Sequence, residues 1–174
     1  GRPSNDIVRL GLQALTRLVH RGATGADPKT GDGAGILIQT PHEFFKKATC
    51  DMGLDLPGPG GYGSGLIFLP PDNRERRFCK EVLSKISAEE GQDLLGWRPV
   101  PVDDSDIGHS AREAEPVIEQ AFIAKSDGLK DQLEFERILY VIRKRAESIV
   151  RVSKLKQRSF FYITNLSSRT FSYK

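Results

Sequence analysis

Cysteine is scarce in this chain. Cys50 and Cys79 are the only two in 174 residues, too few for a disulfide framework or a zinc site of their own, so a reduced, cytosolic-type protein is expected. Methionine is scarcer still. Met52 stands alone, so the chain is not expected to open at a start codon, and a processed product or a piece of a longer protein is the natural reading. No apolar run approaches the ~20 residues that a bilayer span needs, and the opening Gly-Arg-Pro-Ser lacks the apolar stretch of a signal peptide. The three histidines, His20, His42 and His109, stand apart, without the HxxxH or HExxH spacing of a metal site. No glycine-rich loop runs into Gly-Lys-Ser/Thr, which removes the nucleotide-binding P-loop. What is there is ordinary globular usage, 38% hydrophobic and 28% charged, at a length that suits one domain with a core needing no staples.

Neither sign of charge dominates: 26 basic and 23 acidic residues leave +3, too balanced to imply nucleic acid by itself. The distribution is uneven. Asp103 to Glu136 carries ten acids against Arg112, Lys125 and Lys130, and Arg143 to Arg158 carries seven cations against Glu147 alone. The basic run could meet phosphates, which would show as salt-sensitive binding. It also suits a solvated helix end whose cations face the negative pole of the helix dipole, and the absence of interleaved aromatics favours that second reading.

Periodicity supplies the elements. Ser4 or Asn5 can cap a helix in which Ile7, Leu10, Ala14, Leu15 and Leu18 draw one apolar stripe, ended by His20-Arg21-Gly22. A glycine-rich segment then runs into Ile36 to Gln39, expected as a buried strand, and Pro41 to Phe45 leads a short helix. Leu66 to Leu69 is a second strand after the Pro57 to Gly65 loop. Arg74 to Ile86 reads as a helix with Phe78, Val82, Leu83 and Ile86 on one face. Trp97 to Val102 is extended, because each proline pushes its predecessor out of the helical region. Pro116 to Phe122 is a further strand candidate. Phe135, Ile138, Leu139, Ile142, Ala146 and Ile149 stripe a long helix. Phe160 to Ile163 and Thr170 to Tyr173, parted by Asn165 to Ser168, read as a hairpin. Helices and strands in this mixed order predict α/β or α+β layering.

Two stretches invite chemistry. Gly58 to Gly63 matches GxGxxG, but that fingerprint needs a preceding strand and a following helix, and a β-rich run follows here. His20 to Gly35, HRGATGADPKTGDGAG, is a helix end and polar loop, closing in Gly31-Asp32-Gly33-Ala34-Gly35 ahead of an apolar strand. Small residues there admit a second backbone or a ligand. Arg21 and Asp32 flank that approach, either as working groups or as a plain ion pair in a tight turn.

The string HRGATGADPKTGDGAGI closely resembles the start of the large subunit of the glutamate synthases, in their class II, N-terminal-nucleophile glutamine amidotransferase (glutaminase) domain. GRPSNDIVRLGLQAL, TPHEFF, GWRPVPVD, FERILYVIRKRAE and FFYITNLSSRTFSYK resemble that family in the same order, so the resemblance spans the chain. It implies an α+β fold, the αββα sandwich of Ntn hydrolases, with residues 1–174 forming an N-proximal part that lacks the first strand and the C-terminal part. It implies glutamine as substrate, hydrolysed to glutamate and ammonia for transfer to 2-oxoglutarate. The remaining domains of the synthase are the implied partners, carrying FMN and an iron–sulfur cluster, with no cofactor in this segment. A cytoplasmic or plastid-stromal location follows, and neither nucleic acid nor a membrane is an expected partner.

In that family an N-terminal cysteine attacks the glutamine side-chain amide, with its own α-amino group as base. The resemblance places this nucleophile before Gly1 and the substrate-binding arginine, Asn-Gly pair and aspartate after Lys174. Neither Cys50 nor Cys79 aligns with it, so no catalytic residue is assigned within the chain, which is expected to be inactive alone. Arg21, Gly22, Asp32 and Gly33 remain as active-site support. The alternative is a non-catalytic scaffold or binding module that keeps the fold.

Overall fold

The computed structural model describes residues 4–18, 22, 27, 29–31 and 33–173. In chain order the elements are α1 (Asn5–Arg17), β1 (Ile36–Gln39), α2 (His42–Cys50), β2 (Tyr62–Leu69), α3 (Asn73–Glu89), β3 (Leu94–Pro99), α4 (His109–Glu113), β4 (Val117–Ala124), α5 (Gln132–Val152), β5 (Tyr162–Ile163) and β6 (Thr170–Tyr173). The strands form two antiparallel sheets, one of order β3-β4-β2-β5 and one pairing β1 with β6. The expected α+β class is therefore the one observed.

Side-chain caps fix where α1, α3 and α5 begin, since the first N–H groups of a helix have no partner within it. Ser4 Oγ accepts from Ile7 N at 3.3 Å. Asp72 Oδ1 accepts from Arg74 N and Glu75 N, both at 2.9 Å. At α5, Asp131 accepts from Glu134 N at 2.7 Å while the Glu134 carboxylate accepts from Lys130 N at 2.6 Å.

Helices α3 and α5 lie together on one face of the four-stranded sheet. From α5, Phe135, Leu139, Ile142, Ala146 and Val150 are buried, and from α3, Cys79, Val82, Leu83 and Ile86. They meet Ile67, Leu69, Ala121 and Ile123 of the central strands in one core, where each fully buried Leu or Ile contributes roughly 1.5–3 kcal/mol. A second core joins Phe45 of α2, Tyr62, Leu66 and Phe122 of the large sheet and Phe171 of β6, with Ile38 of β1 packed against it. The Phe45 and Phe171 rings meet edge-on, centroids 4.9 Å apart, the arrangement that ring quadrupoles favour. Helices, large sheet and small sheet are thus stacked in layers.

Several expectations need correction. Tyr162–Ile163 and Thr170–Tyr173 do not form a hairpin: β5 pairs with β2 and β6 with β1, so the chain changes sheet between them. Strand β2 starts at Tyr62 rather than Leu66. Phe78 is 37% exposed, and Cys79 takes its place in the core. Ile149 likewise yields to Val150. Strand β1 is half-buried, with Leu37 outside. The stripe on α1 is mostly uncovered: Ile7, Leu10 and Leu18 are 59%, 62% and 49% exposed, and Leu15 is half-buried. The helix closes at Arg17, and the expected stop at His20 and Arg21 lies outside the described residues. In the basic run, Arg143 and Lys144 reach Glu147 at 3.1 and 3.4 Å, and Arg145 binds Glu89 of α3 and Glu90 just after it. These cations tie α5 to itself and to α3.

Candidate active site

The glycine-rich loop enters β1 through Gly33, Ala34 and Gly35. Gly33 has φ +75° with open space around its Cβ position. Its glycine therefore serves the left-handed backbone, which a side chain would strain, rather than a crowded contact. Strand β1 then pairs with β6 in the register Ile36↔Tyr173 to Gln39↔Thr170, and Thr40 N extends the ladder to Arg169 O at 3.0 Å. Beside this small sheet Gly33, Ala34, Gly35, Thr164 and Ser172 line a cleft of about 400 Å³. Among these described residues no side chain is a nucleophile of the thiol or amine kind. The cleft offers small residues and exposed backbone, which a second chain segment can approach.

Of the four residues expected to support the site, Gly22 and Gly33 are described, and Gly22 is exposed. Arg21 and Asp32 lie outside the described residues.

The turn at Asn165 to Ser168, expected from sequence only as a hairpin loop, does more. Asn165 Nδ2 donates to Thr170 O at 2.9 Å and its Oδ1 accepts from Ser172 N at 3.0 Å. Ser167 N and O exchange bonds with Ser64 of β2. Ser167 Oγ and Ser168 N both donate to the Glu136 carboxylate of α5 at 2.8 Å. Strand β6, and β1 with it, is thereby pinned to the large sheet and to α5. The signal in the sequence is a turn with more hydroxyl and amide groups than a tight turn needs, opposite the small-residue run Gly63-Ser64-Gly65.

The two thiols have different settings. Cys50 ends α2 on the surface and Cys79 is buried in α3. Burial, then the charge of Glu75, pushes the Cys79 thiol up to about 12, so it stays protonated where a nucleophile must be thiolate. Tyr62, whose hydroxyl lies 3.2 Å from His42 Nδ1, is also pushed up to about 12, by burial and then Glu43. Both groups hold their protons more tightly folded than unfolded, where the ordinary values are 9.0 and 10.0. The stability they contribute is complete below pH 9 and lost as pH rises from 9 through 12. Urea midpoints should therefore fall between pH 8 and pH 11, and fall less in Cys79→Ala. An equal fall in that variant would assign the loss to other groups.

No group of three or more His, Cys, Asp or Glu side chains among the described residues stands close enough to hold a metal ion. Two cysteines cannot supply the four thiolates of an iron–sulfur cluster. No helix among the described residues is long and apolar enough to cross a membrane.

Two antiparallel sheets layered against helices, with a glycine-rich approach to the smaller one, agree with a match between residues 1–174 and the model of the class-II glutamine amidotransferases. The chain belongs to that family. It is similar, more particularly, to glutamate synthases. It is 44% identical over 174 residues to the glutamate synthase [NADPH] large chain of Bacillus subtilis, covering all of this chain and 11% of that protein. Identity is 37% over 175 residues to the glutamate synthase [NADPH] large chain of Azospirillum brasilense, again covering all of this chain and 11% of that protein. With the ferredoxin-dependent, chloroplastic enzyme of Oryza sativa subsp. japonica it is 38% over 174 residues, 99% of this chain and 10% of that one. The chain thus spans about a tenth of the length of the curated relatives it matches.

Proposed function

We propose that residues 1–174 are the N-proximal part of the glutaminase domain of a glutamate synthase, which releases ammonia from glutamine for transfer to 2-oxoglutarate. The match of the whole chain to class-II amidotransferases, and to glutamate synthases in particular, carries this reading. In the proposed reaction a cysteine thiol attacks the side-chain amide carbon, the amide nitrogen takes the proton and leaves as ammonia, and water cleaves the thioester to glutamate. These residues supply the frame: the glycine-rich approach to β1 and the loop that carries Arg21, Gly22, Asp32 and Gly33. The FMN and iron–sulfur chemistry of such a synthase belongs to its other domains, and these are the partners of this segment. Alone, the 174 residues are expected to release no ammonia.

Arg21 is the residue to test. A cation beside the nucleophile favours thiolate and disfavours a protonated amine. Arg21→Lys keeps the charge and loses the planar fork. In a polypeptide carrying the complete glutaminase domain, glutamine turnover should fall by about 10²-fold, the scale of a misplaced catalytic array, with the melting temperature little changed. Wild-type turnover per folded molecule with only a lower melting temperature would make Arg21 a structural residue and remove it from the site.

A further inference from the structure

Between α1 and β1, Asp27, Lys29 and Thr30 meet a segment far along the chain, just before α4. Gly108 N donates to Lys29 O at 3.2 Å, and Lys29 Nζ binds the Asp106 carboxylate. Asp27 folds its own turn, accepting from Lys29 N at 3.1 Å and from Thr30 Oγ1 at 2.9 Å, while Thr30 N donates to Asp27 O at 3.0 Å. The same carboxylate faces the start of α4. Lys29 N–H, then the Thr30 hydroxyl, then the Ser110 and His109 N–H groups hold it below the usual carboxylate range.

The fit is close at one point. A methyl group on Gly108 would stand 2.0 Å from Asp27 Oδ2 and 2.4 Å from Thr30 Oγ1, well inside van der Waals contact. Gly108 has φ −70° and ψ 166°, which any residue adopts. Glycine is needed there for room and not for backbone freedom.

We propose that Asp27 and Gly108 form a latch that positions the loop carrying Arg21, Gly22, Asp32 and Gly33, making both of them positioning residues for glutamine turnover. This rests on the functional reading above, because the latch matters to chemistry only if that loop borders the reacting groups. Asp27 lies between Arg21 and Asp32 in the chain, so the proposed latch stands within a few residues of each. Pre-ordering is what substrate-positioning segments contribute, and displacements of an ångström cost orders of magnitude in rate.

Three variants test it in a polypeptide with the complete glutaminase domain: Gly108→Ala, Asp27→Ala and the double variant, beside Arg21→Lys. Each latch variant should lower kcat/KM about tenfold or more with the melting temperature within about 2 °C. The double variant should be no worse than either single one, because both open the same contact. Trypsin should cut after Lys29 about tenfold faster in the variants, as a loop released into local opening does. If Arg21→Lys loses turnover while Gly108→Ala and Asp27→Ala stay within about twofold of wild type, the latch has no positioning role and the functional reading stands. If the complete domain releases no ammonia from glutamine, the functional reading fails, and with it the latch's role in turnover; a neutral Arg21→Lys removes only Arg21 from the site. Unchanged cleavage after Lys29 in Gly108→Ala and Asp27→Ala would overturn the latch itself.

Discussion

Replacing Gly65 by alanine should destabilise the fold by about 3 kcal/mol or more, at or above the top of the usual range for overpacking. The added methyl would stand 1.9 Å from the Asn165 carbonyl oxygen and 3.0 Å from its carbon. The obstacle is backbone, so no rotamer relieves it. Moving it disturbs Thr164 N→Leu66 O and the paired bonds between Ser64 and Ser167, and with them the tie between the two sheets. Gly58→Ala is the control, since nothing lies within 4 Å of that position, and it should change stability by no more than about 0.5 kcal/mol. Urea denaturation of both variants decides the point. Equal midpoints would mean that the turn at Asn165 yields freely.

A second large effect is expected where α5 crosses β2. Leu139 is fully buried, and truncation to alanine should cost about 2–5 kcal/mol through lost burial and a cavity. A methyl group on Gly63 would fall 2.4 Å from Leu139 Cδ1 and 2.7 Å from Cδ2, so Gly63→Ala alone forces the leucine off its rotamer. Combined, the two changes should partly cancel, because the new methyl occupies the space that the lost isopropyl group leaves. The double variant should be more stable than the summed single effects predict by about 1 kcal/mol or more, within the range measured for residues in contact. Strict additivity would show that Gly63 and Leu139 do not share that space.

These two glycines also show where the sequence stops being legible. Helix α5 declares itself through residues three and four apart, and its buried face follows from the pattern except at its last turn, where Val150 replaces Ile149. Gly63 and Gly65 look like loop residues because glycine is a local signal of irregular chain. Their reason lies in Leu139 and Asn165, partners that no window of neighbouring residues contains. The hairpin reading of Phe160 to Tyr173 failed for the same cause: two β-rich runs around a polar turn satisfy every local rule, while β5 and β6 find their partners in β2 and β1. The stripe of α1 was legible as a helix, but a stripe cannot say whether anything covers it. At the candidate site Gly33 is expected from sequence to admit a close neighbour, whereas its φ of +75° with open space around it makes it a backbone requirement. The fastening of Asp27 and Lys29 was not legible, since Lys29 meets Asp106 across 77 residues and neither end carries a motif.

The change of sheet between β5 and β6 also sets an order of assembly. Joining Ile36 to Tyr173 in an otherwise open chain closes most of its length, an entropic cost of roughly 4 kcal/mol set against a ladder of only four residue pairs. Once β2 has paired with β4 and β5, the same two strands hang on short tethers, one from Thr40 to Gly61 and the other from Thr164 to Arg169, and the closure costs far less. The larger sheet is therefore the template on which the small one becomes affordable, and the glycine-lined cleft is the last part of the molecule to take shape.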